Sequence, residues 1–249
     1  MGKIEFKGIH KSFGSKSVLR GVDLIVEPGS VLFIIGQSGA GKSVLVKHLV
    51  GLMKPDAGRI YLDGVDITDL SEAEFYPIRK RCAMVFQNST LFDSMTLQEN
   101  VALPIRKHRD VTMKEAMSLA MEKLRLVGMQ GYADRVPADF GDGMRKKVAI
   151  ARALTLDPEY VIFDEPTTNI DPISAAMVDK LIRHLSDNLG VTSIVISHDL
   201  RSIFGIADRI AMLYKGEFVL DGTREDFRSC PDPIVQQFIQ GNPEGPMEI

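Results

Sequence analysis

Apolar positions along this chain change their spacing twice, and the changes divide it into three stretches. In the first, short apolar runs at residues 4–6, 22–26, 31–35 and 59–62 are separated by turn residues such as Glu27-Pro28-Gly29 and Asp63-Gly64, which predicts strands. Residues 82–86 predict another buried strand. From about Asn88 to Leu156 the period becomes helical, and Met113, Met117, Ala120, Met121 and Leu124 fall on one face as a Met-rich stripe expected in the core. After Asp157-Pro158 the first pattern returns. Residues 160–163 and 191–196 predict strands, 173–189 a helix closed by Gly190, and 209–213 with 217–220 a hairpin around Lys215-Gly216. Continuous apolar strands flanked by helices predict an α/β fold with a mainly parallel sheet covered on both faces, interrupted by a helical lobe. The Gly- and Pro-rich end, from Gly241 to Pro246, predicts a loose tail.

Composition narrows the function classes. A chain of 249 residues that is 45% hydrophobic and 25% charged can bury a full core, and its net charge of −3 gives no electrostatic case for nucleic acid as a partner. The basic runs Arg79-Lys80-Arg81 and Arg145-Lys146-Lys147 read as solvated helix faces. Cys82 and Cys230 stand in neither metal-ligand nor redox spacing, which suits a reducing compartment and leaves a disulfide between them open. No stretch approaches the roughly 18 continuous apolar residues that cross a bilayer, so a membrane role must run through a partner.

The chemistry concentrates between residues 31–35 and a helix expected at 42–52. Gly36-Gln37-Ser38-Gly39-Ala40-Gly41-Lys42-Ser43 fits G-x-x-x-x-G-K-[ST], in which glycines let the backbone turn tightly and aim its N–H groups at a nucleotide's phosphates. Lys42 supplies a mobile charge for the β- and γ-phosphates, Ser43 a hydroxyl for Mg²⁺, and the following helix its positive end. Phe163-Asp164-Glu165-Pro166 ends an apolar strand, where open parallel sheets bind ligands. Asp164 would hold Mg²⁺ beside Ser43 and Glu165 would polarise a water toward the γ-phosphate. His198 in Ser197-His198-Asp199 ends another strand, and Gln87 follows the strand at 82–86. Taken alone, each of these two is as compatible with a structural role as with holding the water or the metal.

In their order along the chain these residues resemble the ATPase subunit of an ABC transporter, over nearly the whole length. The resemblance implies a P-loop ABC cassette: one domain over residues 1–241, with an antiparallel N-terminal β part, a RecA-like core at 1–87 and 158–222, a helical subdomain at about 88–157, a C-terminal helix at 223–241 and a tail at 242–249. It further implies that ATP is bound by Phe13 stacking on adenine, by Gly36 to Val44, and, from a second cassette, by the signature residues Gly141, Asp142 and Gly143 with Asp171 of the D-loop. Mg²⁺ would be held by Ser43, Gln87 and Asp164, and catalysis carried by Glu165, His198, Gln87 and Lys42. The implied assembly is an ATPase dimer, read as a homodimer, that docks on a membrane permease through Asn88 to Thr96. It would sit at the cytoplasmic face of a bacterial inner membrane.

A finer similarity, in residues 86–96, in Met144, and in Asp232-Pro233 with Val235 to Phe238 and Gly245-Pro246, points to the ATPases of Mla/Mce-type phospholipid transporters. That implies a STAS-like regulatory subunit and an Mce-type lipid carrier. An amino-acid-type importer ATPase shares every catalytic motif. A soluble ABC ATPase acting on DNA or the ribosome would need coiled coils or a second cassette, for which the chain has no room. The signature itself departs from Leu-Ser-Gly-Gly-Gln and reads Phe140-Gly141-Asp142-Gly143-Met144, without the serine. An inward-facing Asp142 about 5 Å from a phosphate charge would oppose closure by about 3 kcal/mol at an effective dielectric near 20, which predicts a slow homodimer. The alternatives are an Asp142 turned toward Arg145 or Lys146, or pairing with a second ATPase whose signature is intact.

Overall fold

The computed structural model describes residues 2–248, so Met1 and Ile249, at the outer bounds of the expected cassette and tail, lie outside the described residues. Alternating apolar and polar residues build the first layer. β1 (Ile4–Phe13) and β2 (Lys16–Val26) form a long antiparallel hairpin, continued by β4 (Ala57–Leu62) and β5 (Val65–Asp66) in the order β2-β1-β4-β5. Both hairpin strands run well past their apolar stretches, because half of their residues face water and carry no hydrophobic signal.

Between β2 and β4 the chain crosses into a second sheet through β3 (Val31–Ile35), which leads into α1 (Lys42–Leu49). That sheet adds β6 (Cys82–Val85), β7 (Tyr160–Asp164), β8 (Thr192–Ile196), β9 (Arg209–Tyr214) and β10 (Glu217–Gly222) in the order β10-β9-β3-β8-β7-β6. All its pairings are parallel except the terminal β9–β10 hairpin. β3 shows why the central strands carry continuous apolar runs. Leu32 and Ile34 belong to a core shared with α1 and the antiparallel sheet, while Val31, Phe33 and Ile35 belong to a second core under the helices.

Helices fill the intervals: α2 (Glu72–Arg81), α3 (Leu97–His108), α4 (Met113–Leu126), α5 (Asp142–Ala153), α6 (Pro172–Leu189), α7 (Leu200–Ile206), α8 (Arg224–Ser229) and α9 (Pro233–Gln240). Ser71 with Glu74, Thr96 with Glu99 and Thr112 with Glu115 start three of them as reciprocal capping boxes. Among the described residues no helix is long and apolar enough to cross a membrane.

Three expectations about the helices change, and the disulfide left open is resolved. α1 stops at Leu49 instead of residue 52, because Gly51 takes a left-handed conformation and Leu52 N–H bonds back to the Lys47 carbonyl. In the Met-rich stripe Ala120 and Leu124 are buried, Met117 and Met121 only partly, and Met113 is 51% exposed in the first turn of α4. The C-terminal helix is two helices, since Pro231 interrupts it and Asp232 caps a new start at Ile234 and Val235. Cys82 and Cys230 are free thiols, Cys82 buried.

The tail is docked. Met247 is buried in the core beneath the helices, and its N–H donates to Gln237 Oε1 at 2.7 Å. Glu248 N–H reaches the Tyr214 hydroxyl at 3.3 Å, and the Glu248 carbonyl accepts from Gln37 Nε2 at 2.8 Å. One apolar residue anchors a segment whose composition otherwise reads as unstructured.

Candidate active site

Strand order explains the site. β3, β8, β7 and β6 lie side by side and run in the same direction, so the segments that leave their carboxyl ends emerge at one edge of the sheet. These segments carry the phosphate loop, His198, Asp164-Glu165 and Gln87 respectively. Phe13, exposed at the end of β1, lines the same open cavity of about 530 Å³ together with Lys16, Ser43, Gln87, Glu165 and His198.

The loop after Ile35 turns through Gly36, Gly39 and Gly41, all at positive φ. At Gly36 this is a close approach as well, because a Cβ would sit 2.1 Å from the Leu213 carbonyl oxygen on β9. Lys42 opens α1 and is only 7% exposed; its ammonium donates to the Gly36 and Gln37 carbonyls at 2.7 and 2.9 Å. Burial pulls its pKa down, and the nearby Glu165 and Asp164 charges oppose that shift. Ser38, Gly39 and Val44 line the cavity, whereas Ala40, partly buried, packs against the core shared with α1, and the Gln37 amide points to the tail.

Ser43 Oγ donates to Asp164 Oδ1 at 2.9 Å, joining the start of α1 to the end of β7. Burial pushes the Asp164 carboxyl up, the Ser43 hydroxyl pulls it back, and the Glu165 charge adds to the rise. Among the described residues no three His, Cys, Asp or Glu side chains form a metal cluster. A hydroxyl, a carboxylate and the Gln87 amide oxygen form instead an oxygen donor set open to solvent, which fits a hard cation that keeps waters and takes phosphate oxygens.

Glu165 follows with φ 51, a left-handed conformation unusual for a side-chain-bearing residue, while its N–H donates to the Ile196 carbonyl of β8 at 2.9 Å. Its Oε2 lies 2.9 Å from His198 Nδ1 and accepts from Thr168 Oγ1 at 3.1 Å. The Glu165 side chain is 14% exposed and that of His198 63%, so the carboxylate is enclosed and the imidazole faces the opening. Nothing in sequence spacing identified Thr168.

The signature residues lie elsewhere. Asp142 lines a separate cavity of about 340 Å³ with Asn169, and among the described residues Gln87 alone lines both this cavity and that of the phosphate loop. Gly141 caps α5, and Gly143 packs α5 so tightly on α6 that a Cβ would sit 2.5 Å from Ser174 Cβ. Asp171 caps α6 through the Ile173 and Ser174 N–H groups, both at 3.0 Å. The inward-facing Asp142 is not found: its Oδ1 accepts from Arg145 Nη2 at 2.6 Å, and its charge is met on its own helix. The basic runs also depart from the solvated reading. Lys146 is buried at 2% exposure, and Arg81 pairs with Asp63 and Glu159.

Behind His198 a buried acid on α6 carries a pH dependence. Ser202 Oγ lies 2.8 Å from Asp179 Oδ2 and 3.2 Å from Asp199 Oδ2, and Asp179 Oδ1 has no partner. Burial, with some help from Asp199 and against the Ser202 hydroxyl and the Arg201 charge, pushes Asp179 up to about 6. The folded chain therefore holds a proton that the unfolded chain releases near pH 4. Stability from this group is full below that pH and is lost as pH rises through about 6, by on the order of 3 kcal/mol. Melting temperatures of wild type and Asp179→Asn between pH 4 and 7 should show the wild type falling relative to the variant; parallel curves would refute the assignment.

Comparison with known proteins follows the same lines. The ABC transporter family model matches residues 19–168. The intermembrane phospholipid transport system ATP-binding protein MlaF of Haemophilus influenzae is 37% identical over 99% of this chain and 93% of its own length. Its Escherichia coli K12 counterpart is 36% identical over 98% and 91%. A probable ribonucleotide transport ATP-binding protein, mkl, of Mycobacterium leprae is 38% identical over 98% of this chain and 70% of its own. A dimeric ATP-binding cassette solved in a post-hydrolysis state with ADP and Pi superposes with a TM-score of 0.81 at 29% identity, covering 88% of this chain and 98% of that one. It is to the ABC transporter family, as an ATP-binding and ATP-hydrolysing cassette, that this chain belongs.

Proposed function

We propose that the cassette powers phospholipid transport of the Mla/Mce type. The observation that carries this reading is the near end-to-end correspondence with two phospholipid-transport ATPases, through the C-terminal segment as well as the catalytic motifs. The relative named for ribonucleotide transport extends well beyond the matched region, and 70% of it is covered.

In this reading Lys42 and the loop from Gly36 to Val44 bind the ATP phosphates and Phe13 stacks on adenine. Ser43, Asp164 and Gln87 hold Mg²⁺, which when bound would draw charge off the phosphate oxygens. Glu165 takes the proton of the attacking water, and His198 holds the γ-phosphate side. A homodimer places Gly141, Asp142, Gly143 and Asp171 of one copy against the nucleotide of the other, a reading supported by their absence from the phosphate-loop cavity of their own chain. With Asp142 already paired to Arg145, closure does not meet a bare carboxylate. The RecA-like core would span 1–87 and 158–222 and the helical subdomain 88–157.

The permease would dock at Asn88 to Thr96, with a STAS-like subunit and an Mce-type carrier completing the assembly at the cytoplasmic face of the inner membrane. The docking segment is pre-shaped: Asn100 bonds the Phe92 N–H and carbonyl as well as the Met95 and Thr96 carbonyls. Beside it lies a groove of about 320 Å³ lined by Met95, Leu103, Met113 and Met117, which gives the exposed part of the methionine stripe a use. Leu91 packs partly into the core whereas Phe92 is half exposed, so Phe92 is the residue to change. Purified from detergent-solubilised membranes, the wild-type cassette should bring down its permease with bound phospholipid. Phe92→Glu should keep its melting temperature and ATP affinity but lose the permease. Recovery of an amino-acid-type permease would overturn the lipid reading, and undiminished recovery with Phe92→Glu would move the docking site.

A further inference from the structure

The segment from Phe86 to Thr90 belongs to no helix or strand, so its backbone carbonyls need partners from elsewhere. One helix supplies them. Lys146 Nζ donates to the Phe86 and Gln87 carbonyls at 3.0 and 2.5 Å. Two residues past the next turn of α5, Arg152 donates to the Thr90 carbonyl at 2.8 Å, to Thr90 Oγ1 at 2.9 Å and to the Ser89 carbonyl at 3.3 Å. Thr90 itself is held at φ 49, a left-handed conformation that a threonine does not adopt unaided.

Lys146 is the more telling of the two. Its side chain is buried, and among the described residues it makes no ion pair with a carboxylate. An ammonium taken out of water without a counter-ion is expensive, and an apolar residue of the same length would pack at that place without the penalty. What the ammonium gains is two fixed hydrogen bonds to the carbonyls of the peptide groups before and after the Gln87 α-carbon.

We infer that Lys146 is a positioning residue for Gln87, tying the glutamine's backbone to the helix that begins at Asp142. The inference rests on the reading of Gln87 as a ligand of Mg²⁺ or the attacking water. Lys146 lies one turn along α5 from Asp142, so a displacement of the signature end of the helix is passed to the Gln87 carbonyl through the buried Lys146 side chain. Gln87 is also the residue common to both cavities, which makes it the point where such a displacement reaches the phosphate-loop side.

A double-mutant cycle on the full chain tests it, with Lys146→Met, Gln87→Ala and the double variant compared in kcat, in KM for ATP and in the Mg²⁺ concentration giving half-maximal rate. Lys146→Met should lower kcat about tenfold and raise the Mg²⁺ requirement, the loss of roughly one charge-assisted hydrogen bond, while ATP affinity stays within about twofold. In the Gln87→Ala background the same change should add less than about a twofold loss. Lys146→Arg, which keeps the donors, should recover much of the rate, and serves with Lys146→Gln if the methionine variant does not fold. Equal losses in both backgrounds with an unaltered Mg²⁺ requirement would overturn the inference and leave Gln87's role standing. A Gln87→Ala variant with wild-type rate and Mg²⁺ response would overturn that role and the inference with it.

Discussion

Lys42→Ala should reduce ATP turnover to less than a tenth of wild type and weaken ATP binding by about ten- to a hundredfold, the range of a lost charge-assisted hydrogen bond. The lysine seats its cation within the turn of the phosphate loop, where the ammonium rests on the Gly36 and Gln37 carbonyls. Neither carbonyl can replace the charge that phosphate oxygens require. Because the side chain is largely buried, alanine also leaves a gap at the start of α1, and a melting curve on the same sample separates that cost from the functional one. Steady-state hydrolysis with a parallel nucleotide titration measures the effect. Turnover above a tenth of wild type would remove the loop from the active site.

Glu165→Gln should leave ATP binding within about twofold and lower hydrolysis by about two to four orders of magnitude, the usual contribution of a positioned base. The amide keeps the shape that fits between His198 and Thr168 and can still accept from either, so the surroundings have no reason to move. What it cannot do is take a proton. With ATP bound and not consumed, the variant should accumulate as a dimer, seen as an ATP-dependent shift in molar mass by light scattering. A normal rate would place the base elsewhere, and an ATP-independent mass would argue against a nucleotide-bridged dimer.

Much of this molecule was open to reading from residues alone, for physical reasons that differ from place to place. β3, β7 and β8 are buried on both faces, so each carries a continuous apolar run, broken only by Thr192 and Ser193 at the start of β8 and Asp164 at the end of β7, and the strands announce themselves. The phosphate loop is equally legible, since glycine at 36, 39 and 41 and a lysine at 42 satisfy backbone constraints that few other residues meet. Partly solvated strands fare worse: β1 and β2 extend through polar residues that pair by backbone alone. Burial of charge is invisible in the same way. Lys146 sits between Arg145 and Lys147 and reads like them, yet it points inward because the loop beneath α5 offers carbonyls. Asp142 posed the opposite problem, where an apparent obstacle to phosphate approach is met by a partner three residues along its own helix. Met247 shows how little sequence is needed to dock a tail, and how little it stands out among glycines and prolines.

The order of strands carries a consequence for how this protein matures. β8 lies between β3 and β7, yet it is the last of the three to leave the ribosome, more than a hundred residues after the phosphate loop. Until it arrives, β3 and β7 have no common neighbour, and the Ser43–Asp164 hydrogen bond that closes the site spans a gap in an unfinished sheet. Such a nonlocal insertion is slow and leaves apolar edges unpaired in the meantime. The capacity to hold nucleotide should therefore be acquired in one late step, and a fragment ending before Thr192 is expected to aggregate and to bind ATP far more weakly than the full chain, which a nucleotide titration of that fragment checks.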